Sequence, residues 1–152
     1  MTTDRFTLDT NILIYVHDIA DPTRRQLASQ LVRDAAHEDC VLTLQSIGEC
    51  FNALRRKMRD TPANAMARAL AYANTFALIE PTRTAMHTAL AAAGSGRFSY
   101  WDAFLLATAA ESGCSICLSE DMHDGAKLGS ITVRRPFDGD RLSKAAQTLL
   151  GP

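Results

Sequence analysis

A chain of 152 residues fits a single domain, residues 1–152, and at about this size folding buries roughly 68–70% of the unfolded surface, enough for a core without staples. Its 47% apolar and 22% charged residues are ordinary for a globular protein, and no run nears the ~20 apolar residues of a membrane span. A net charge of −1 and a pI of about 6.4 argue against a generic high-affinity polyanion binder. The start, Met1 to Arg5, has no basic region followed by an apolar stretch, so a cytoplasmic location and no membrane partner are expected.

In chain order, the pattern alternates strands with helices, the sign of a parallel α/β sheet. Strands are predicted near Arg5 to Leu8, Cys40 to Leu44, Ala77 to Ile79, Ser115 to Leu118 and Ile131 to Arg134. Helical structure is predicted from Asn11 to His17, and again from Pro22, with Asp21 as cap, to about Ala36. Ser46 and Glu49 form a capping-box pattern that opens a helix to about Arg59. Asp60 to Pro62 breaks it, and alanine-rich Ala63 to Thr75 returns as the second arm of a hairpin. Further helices run from Pro81 and Thr82 to about Ala93, from Tyr100 to Ser112 with Gly113 as its end, and from Asp140 to Leu150.

Acidic residues recur where an apolar stretch hands over to the next element: Asp9, Glu49, Asp102 and Asp121. In a parallel sheet that edge is where ligands bind, so acids far apart in sequence can meet in space. Two carboxylates ~4 Å apart repel by roughly 4 kcal/mol at an effective dielectric near 20, so such a cluster either binds hard cations or gives up charge. Oxygen-only donors suit Mg²⁺ or Mn²⁺. Each acid also has a structural explanation: Asp9 as a turn residue, Glu49 as the capping partner of Ser46, Asp102 as a first-turn acid, Asp121 as part of a polar loop.

The other reactive residues give weaker patterns. Cys40, Cys50, Cys114 and Cys117 read as buried thiols; the C-x-x-C of Cys114 and Cys117 lacks a second half and runs into a strand. His17, His37, His87 and His123 form no ligand spacing, and Trp101 reads as a core or pocket residue rather than a base-stacking platform.

Taken together, Leu8 to Asn11 after the first strand, Ser46 to Glu49 at a helix start, Ser99 to Ala103, Leu118 to Met122 and the tail from Ile131 to Phe137 resemble the PIN-domain ribonucleases, most closely the toxins of VapBC toxin–antitoxin pairs. The resemblance covers nearly the whole chain. It implies a three-layer α/β/α domain with a mostly parallel central sheet of about five strands. It makes Asp9, Glu49, Asp102 and Asp121 the acidic catalytic and Mg²⁺- or Mn²⁺-binding site, with Asn11 and Ser119 in support. Of the adjacent pair, Asp121 is assigned to the acid set and Glu120 only to a supporting role, with Asp124 as a candidate to contribute through water. The implied activity is endonucleolytic hydrolysis of RNA. A net charge near zero does not oppose it, because metal-binding acids lower the formal charge while a bound ion reverses the local field.

The implied partners are a small VapB-like antitoxin and a second copy of the chain, with the helices Pro22 to Ala36 and Ala63 to Thr75 offering spare apolar surface. The alternative is a non-catalytic module of the same fold that binds RNA or protein. Arg55, Arg56, Lys57 and Arg59 form a basic block on the Glu49 helix. Asn52 and Arg55 are assigned to the Glu49 face and so to RNA, along with Arg97 before Asp102, whereas Arg56 and Lys57 read as a solvated face.

Overall fold

The computed structural model describes residues 4–152, so Met1 to Thr3, part of the start read from sequence, lie outside the described residues. Six strands form the central sheet in the order β3-β2-β1-β4-β6-β5. They are β1 (Phe6–Leu8), β2 (Cys40–Thr43), β3 (Ala77–Ile79), β4 (Ile116–Leu118), β5 (Lys127–Leu128) and β6 (Ile131–Arg134). All neighbours pair parallel except β5, which returns antiparallel onto β6. The sheet thus has one strand more than the sequence reading; β5, two residues long, is too short to show alternation.

The helices are α1 (Thr10–Tyr15), α2 (Pro22–Ala35), α3 (Leu44–Lys57), α4 (Pro62–Thr75), α5 (Arg83–Gly94), α6 (Tyr100–Glu111) and α7 (Lys144–Leu150). They cover the sheet on both faces, and strand alternation decides which side chains meet them. Phe6, Leu8, Leu42 and Leu118 are fully buried against α1, α2, α3, α4 and α7. Val41, Cys117, Ile131 and Val133 point the other way, into the alanine- and leucine-rich faces of α5 and α6. Thr7, on the same side of β1 as the second group, is also fully buried, and its hydroxyl donates to the Val41 carbonyl at 2.6 Å. The four cysteines are free and buried, in agreement with the sequence reading.

Two helix starts differ from expectation. Helix α3 is capped by Thr43, whose hydroxyl accepts from the Ser46 backbone N–H at 3.0 Å, so Ser46 lies inside the first turn and is buried. The capping-box role of Glu49 is therefore overturned: it is the sixth helical residue, and its carboxylate is released from capping. The last helix starts at Lys144 rather than Asp140, because Gly139, at φ 64°, and Asp140 turn the chain into a hairpin of β7 (Phe137–Asp138) and β8 (Arg141–Leu142). Ser143 then caps α7 through the Ala146 N–H.

The hairpin of α3 and α4 is locked at its turn. Arg59 takes the left-handed conformation at φ 56°, the Asp60 N–H reaches back to the Leu54 carbonyl, and the Asp60 carboxylate pairs with Arg68 at 2.9 Å. Among the described residues no helix is long and apolar enough to cross a membrane.

Candidate metal and nucleic-acid cleft

The site lies at the carboxyl ends of β1 and β4, where the strand order turns: the chain runs from β1 outward to β2 and β3, then crosses to β4 on the other side of β1. The helices between β1 and β2 cover one face, and those between β3 and β4 cover the other. Such a switch point leaves a crevice between neighbouring strand ends. Leu8 stands in register with Leu118, so the residues that follow, Asp9 and Ser119, come side by side. The Asp9 backbone N–H donates to the Leu118 carbonyl at 3.0 Å.

Asp9 is 8% exposed and caps α1. Its carboxylate accepts from the Thr10 backbone N–H and from the Ser119 hydroxyl, both at 2.7 Å. Those bonds favour the charged form, yet burial outweighs them, and the fields of Asp121 and Asp102 act in the same direction as burial. The carboxyl is pushed up to about 6. Ser119, 1% exposed, also accepts from the Asp121 and Met122 backbone N–H groups, at 3.2 and 3.3 Å, and so holds the turn that presents Asp121. The Asn11 amide donates to the Asp121 carboxylate.

Glu49 reaches the same cleft from α3. One oxygen accepts from the Thr10 hydroxyl at 2.9 Å and the other from the Gln45 amide at 2.8 Å. The same Gln45 nitrogen lies 3.3 Å from the Trp101 carbonyl, tying α3 to the start of α6. Asp102, in the first turn of α6, is half-buried; burial raises its pKa, opposed by the Ser99 hydroxyl and assisted by Asp121 and Glu49. All four predicted acids thus line one cleft of about 340 Å³, together with Thr10, Asn11 and Asn52.

As the side chains stand, no three acidic, histidine or cysteine side chains among the described residues close around a single point that would hold an ion. Asp9, Glu49 and Asp121 are each turned to a hydroxyl or amide donor. The donor set nevertheless fits a hard divalent cation. It is all oxygen, and the buried Asp9 carboxyl, pushed up to about 6, marks a place where negative charge lacks compensation. Each carboxylate oxygen that accepts one hydrogen bond keeps a lone pair with which it could also ligate a cation.

Several assignments from sequence change. Glu120 points away from the cleft and lies 3.6 Å from Arg24, which also sits over the Tyr15 ring at 4.9 Å. Asp124 is engaged with Arg134 at 3.3 Å and the Arg135 backbone N–H at 2.9 Å, which hold its pKa below the usual carboxylate value, and it does not line the cleft. Arg55 turns to the Asp60 carbonyl at 2.8 Å, and Arg97 to the Lys127 carbonyl at 2.7 Å. Neither lines the cleft, whereas Arg56 and Lys57 do. From Glu49, the helical steps i+3, i+4, i+7 and i+8 are Asn52, Ala53, Arg56 and Lys57; Arg55, at i+6, belongs to another face.

Thr10 and Gln45 were not anticipated from sequence, although Gln45 stands one helical turn before Glu49. Trp101 is not a core residue: it is 59% exposed. No histidine lines the cleft; His17 is bonded to the Tyr72 hydroxyl at 2.9 Å.

Comparison with known proteins agrees with this topology. The chain is similar in fold to the sarcin–ricin-loop-cleaving toxin VapC20 of Mycobacterium tuberculosis, at TM-score 0.56 and 17% identity over 74% of this chain and 86% of that one. It is also similar to the DNA-bound VapBC of Salmonella typhimurium, at TM-score 0.59 and 15% identity over 86% and 97%. VapBC2 of Rickettsia felis, bound to a promoter DNA fragment, gives 0.55 and 9% over the same shares. The curated proteins give no match. The PIN domain family model matches residues 6–123, which span β1 to the turn carrying Asp121, and the chain therefore belongs to the PIN-domain family.

Proposed function

We propose that this chain is a divalent-metal-dependent endoribonuclease and the toxin of a type II toxin–antitoxin pair. The observation that carries this reading is the convergence of Asp9, Glu49, Asp102 and Asp121 on one cleft, with Asp9 buried and its carboxyl pushed up to about 6. A scaffold without chemistry has no physical reason to hold four carboxylates together at a sheet switch point. The resemblance to the sarcin–ricin-loop-cleaving toxin VapC20 and to DNA-bound VapBC supports an RNA substrate and a VapB-like partner.

Mg²⁺ or Mn²⁺, when bound, supplies neutralisation of phosphate charge and activation of water for in-line attack. Asp9 and Asp121 are the residues best placed to hold it, with Glu49 and Asp102 completing the set or orienting the attacking water. Ser119 and the Thr10 N–H fix the Asp9 carboxylate, Asn11 fixes Asp121, and Thr10 and Gln45 fix Glu49. Arg56 and Lys57, two turns along α3 from Glu49 on the same face, offer positive charge to the phosphates that flank the scissile bond.

The antitoxin and a second copy of the chain are further parts of the proposal, together with a cytoplasmic setting. Met66 and Leu70, 52% and 50% exposed on α4, provide apolar surface for such contacts. Helix α2 contributes less, because Leu27 and Leu31 are spent on the core. The non-catalytic alternative is favoured by one observation, the failure of three acids to close on a single point as they stand.

A Mn²⁺ titration followed by thermal unfolding separates the two readings. At ~100 times the dissociation constant the native state gains about 2.7 kcal/mol, which for a chain of this size raises Tm by roughly 5–11 °C. Asp9→Asn should remove most of that gain. Equal behaviour of wild type and variant in Mn²⁺ and in EDTA would favour the non-catalytic module.

A further inference from the structure

We propose that the indole of Trp101 is the stacking platform for one unstacked nucleobase of a single-stranded RNA whose backbone crosses the acid cleft. The inference rests on the ribonuclease reading above and adds to it a base-binding subsite.

Three placements support it. First, Trp101 immediately precedes Asp102, and its backbone carbonyl is joined through Gln45 to Glu49, so the residue adjoins the cleft while its ring stands outside the groups that line it. Second, Trp101 stands in the first turn of α6 and is 59% exposed, ahead of Leu105 and Thr108, which share its stripe and are buried. Tyr100 and Phe104, one turn apart, stack on each other at 5.5 Å and 20° and face a pocket with Pro81 and Met86, while Asp102 faces the acids. Trp101 falls about 100° from Tyr100 and from Asp102 and about 60° from Phe104.

Its contacts with Tyr100 and Phe104 are steep, at 76° and 61°, so neither ring lies flat on it and 59% of the residue faces solvent. An exposed tryptophan forgoes the burial that normally stabilises so large a ring. Third, the chain carries a net charge of −1, so broad electrostatic attraction to RNA is weak and contacts that do not depend on counterion release carry a larger share of the affinity. Aromatic stacking of an unstacked base is such a contact. Arg56 and Lys57, near the other end of α3 from Gln45, then hold the backbone while the base is splayed towards α6.

The test is built into the sequence, because Trp101 is the single tryptophan and its fluorescence reports on that ring alone. Short single-stranded oligoribonucleotides of mixed sequence are titrated into wild type in EDTA and into the Asp9→Asn, Asp121→Asn double variant in Mg²⁺, conditions that permit binding without turnover. Abasic ribose-phosphate oligomers of the same length serve as the comparison. Affinity is read in parallel from the anisotropy of labelled RNA.

The RNA should quench the emission saturably, and the abasic oligomer should not. Trp101→Ala should weaken RNA binding about 10-fold, within the 5- to 150-fold that one base stack supplies, by the same factor at low and high salt. Trp101→Phe should retain most of the affinity, and a Tm close to that of wild type for both variants excludes misfolding.

RNA that is bound or cut with unchanged emission, and with unchanged affinity in Trp101→Ala, would overturn the subsite and leave the ribonuclease reading intact. Absence of both binding and cleavage would remove both. A blue shift on raising the protein concentration alone, with no response to RNA, would assign the ring to a contact between copies and overturn the proposal.

Discussion

Asp9→Asn should abolish RNA cleavage and, in metal-free buffer above pH 7, make the protein more stable. Loss of a charged group that stabilises the transition state costs on the order of 10²- to 10³-fold in rate, and a group central to the site should meet or exceed that. The stability effect follows from the Asp9 carboxyl, raised from 3.8 to about 6 by burial with help from Asp121 and Asp102. A carboxyl whose native pKa lies above its unfolded value contributes fully below the unfolded pKa, and that contribution is lost as pH rises through the native pKa. The difference amounts to ~3 kcal/mol against the native state at pH 8, absent near pH 3.

Asparagine removes that charge but cannot serve both partners. Its single carbonyl oxygen accepts from either the Thr10 N–H or the Ser119 hydroxyl, which forfeits about 1–2 kcal/mol. The variant should therefore melt a few degrees above wild type at pH 8 in EDTA and below it at pH 4. Saturating Mn²⁺ should reverse the order at pH 8. A Tm difference that does not change sign between pH 4 and pH 8 would contradict the buried, uncompensated carboxylate at the base of the cleft.

Ser119→Ala should be the most damaging of the supporting substitutions. The hydroxyl donates to Asp9 and accepts from the Asp121 and Met122 N–H groups, and the residue is 1% exposed. Its removal leaves a buried carboxylate with one donor fewer and the turn before Met122 without its anchor, a cost of about 2–4 kcal/mol. The cost should be smaller below pH 5, where Asp9 is largely protonated and needs the hydroxyl less. Cleavage should fall as well, because Asp121 loses its fixed position. Thermal unfolding at pH 5 and pH 8 measures the first effect; an equal loss of Tm at both would detach Ser119 from the charge of Asp9.

Much of the fold was legible because each long element carries its own signal. The parallel strands are short apolar runs closed by polar residues, and α2 announces its start through Asp21, the cap expected from sequence, whereas Thr61, read as part of a break, and Thr82, read as the beginning of a helix, are the caps of α4 and α5. What sequence could not convey was phase and pairing. Thr43 took the cap of α3 because the chain leaves β2 in an extended conformation at that residue, which placed Ser46 inside the helix. The short strands β5, β7 and β8 exist through their pairing and show no periodicity of their own.

The acids were legible as residues that follow apolar runs, and the register of Leu8 with Leu118 brings the first and last of them together. The basic residues were misassigned because they stand close in sequence and only the helical phase separates them: Arg55 turns to Asp60, while Arg56 and Lys57 enter the cleft. The exposure of Trp101 was hidden because an aromatic beside Tyr100 and before Ala103 reads as core, yet the buried stretch of α6 begins at Ala103 and Trp101 stands in the turn before it.

The central claim, that the four acids make this cleft a metal-dependent ribonuclease site, is tested most directly by incubating purified protein with a mixed cellular RNA pool in Mg²⁺, Mn²⁺ or EDTA, beside the Asp9→Asn, Asp121→Asn double variant. Discrete fragments that require the metal and disappear in the folded variant are the expected result, and their ends identify the sequence that is cut. Cleavage that persists in EDTA or in the variant, or a folded protein that neither gains stability from metal nor cuts any RNA, would contradict it.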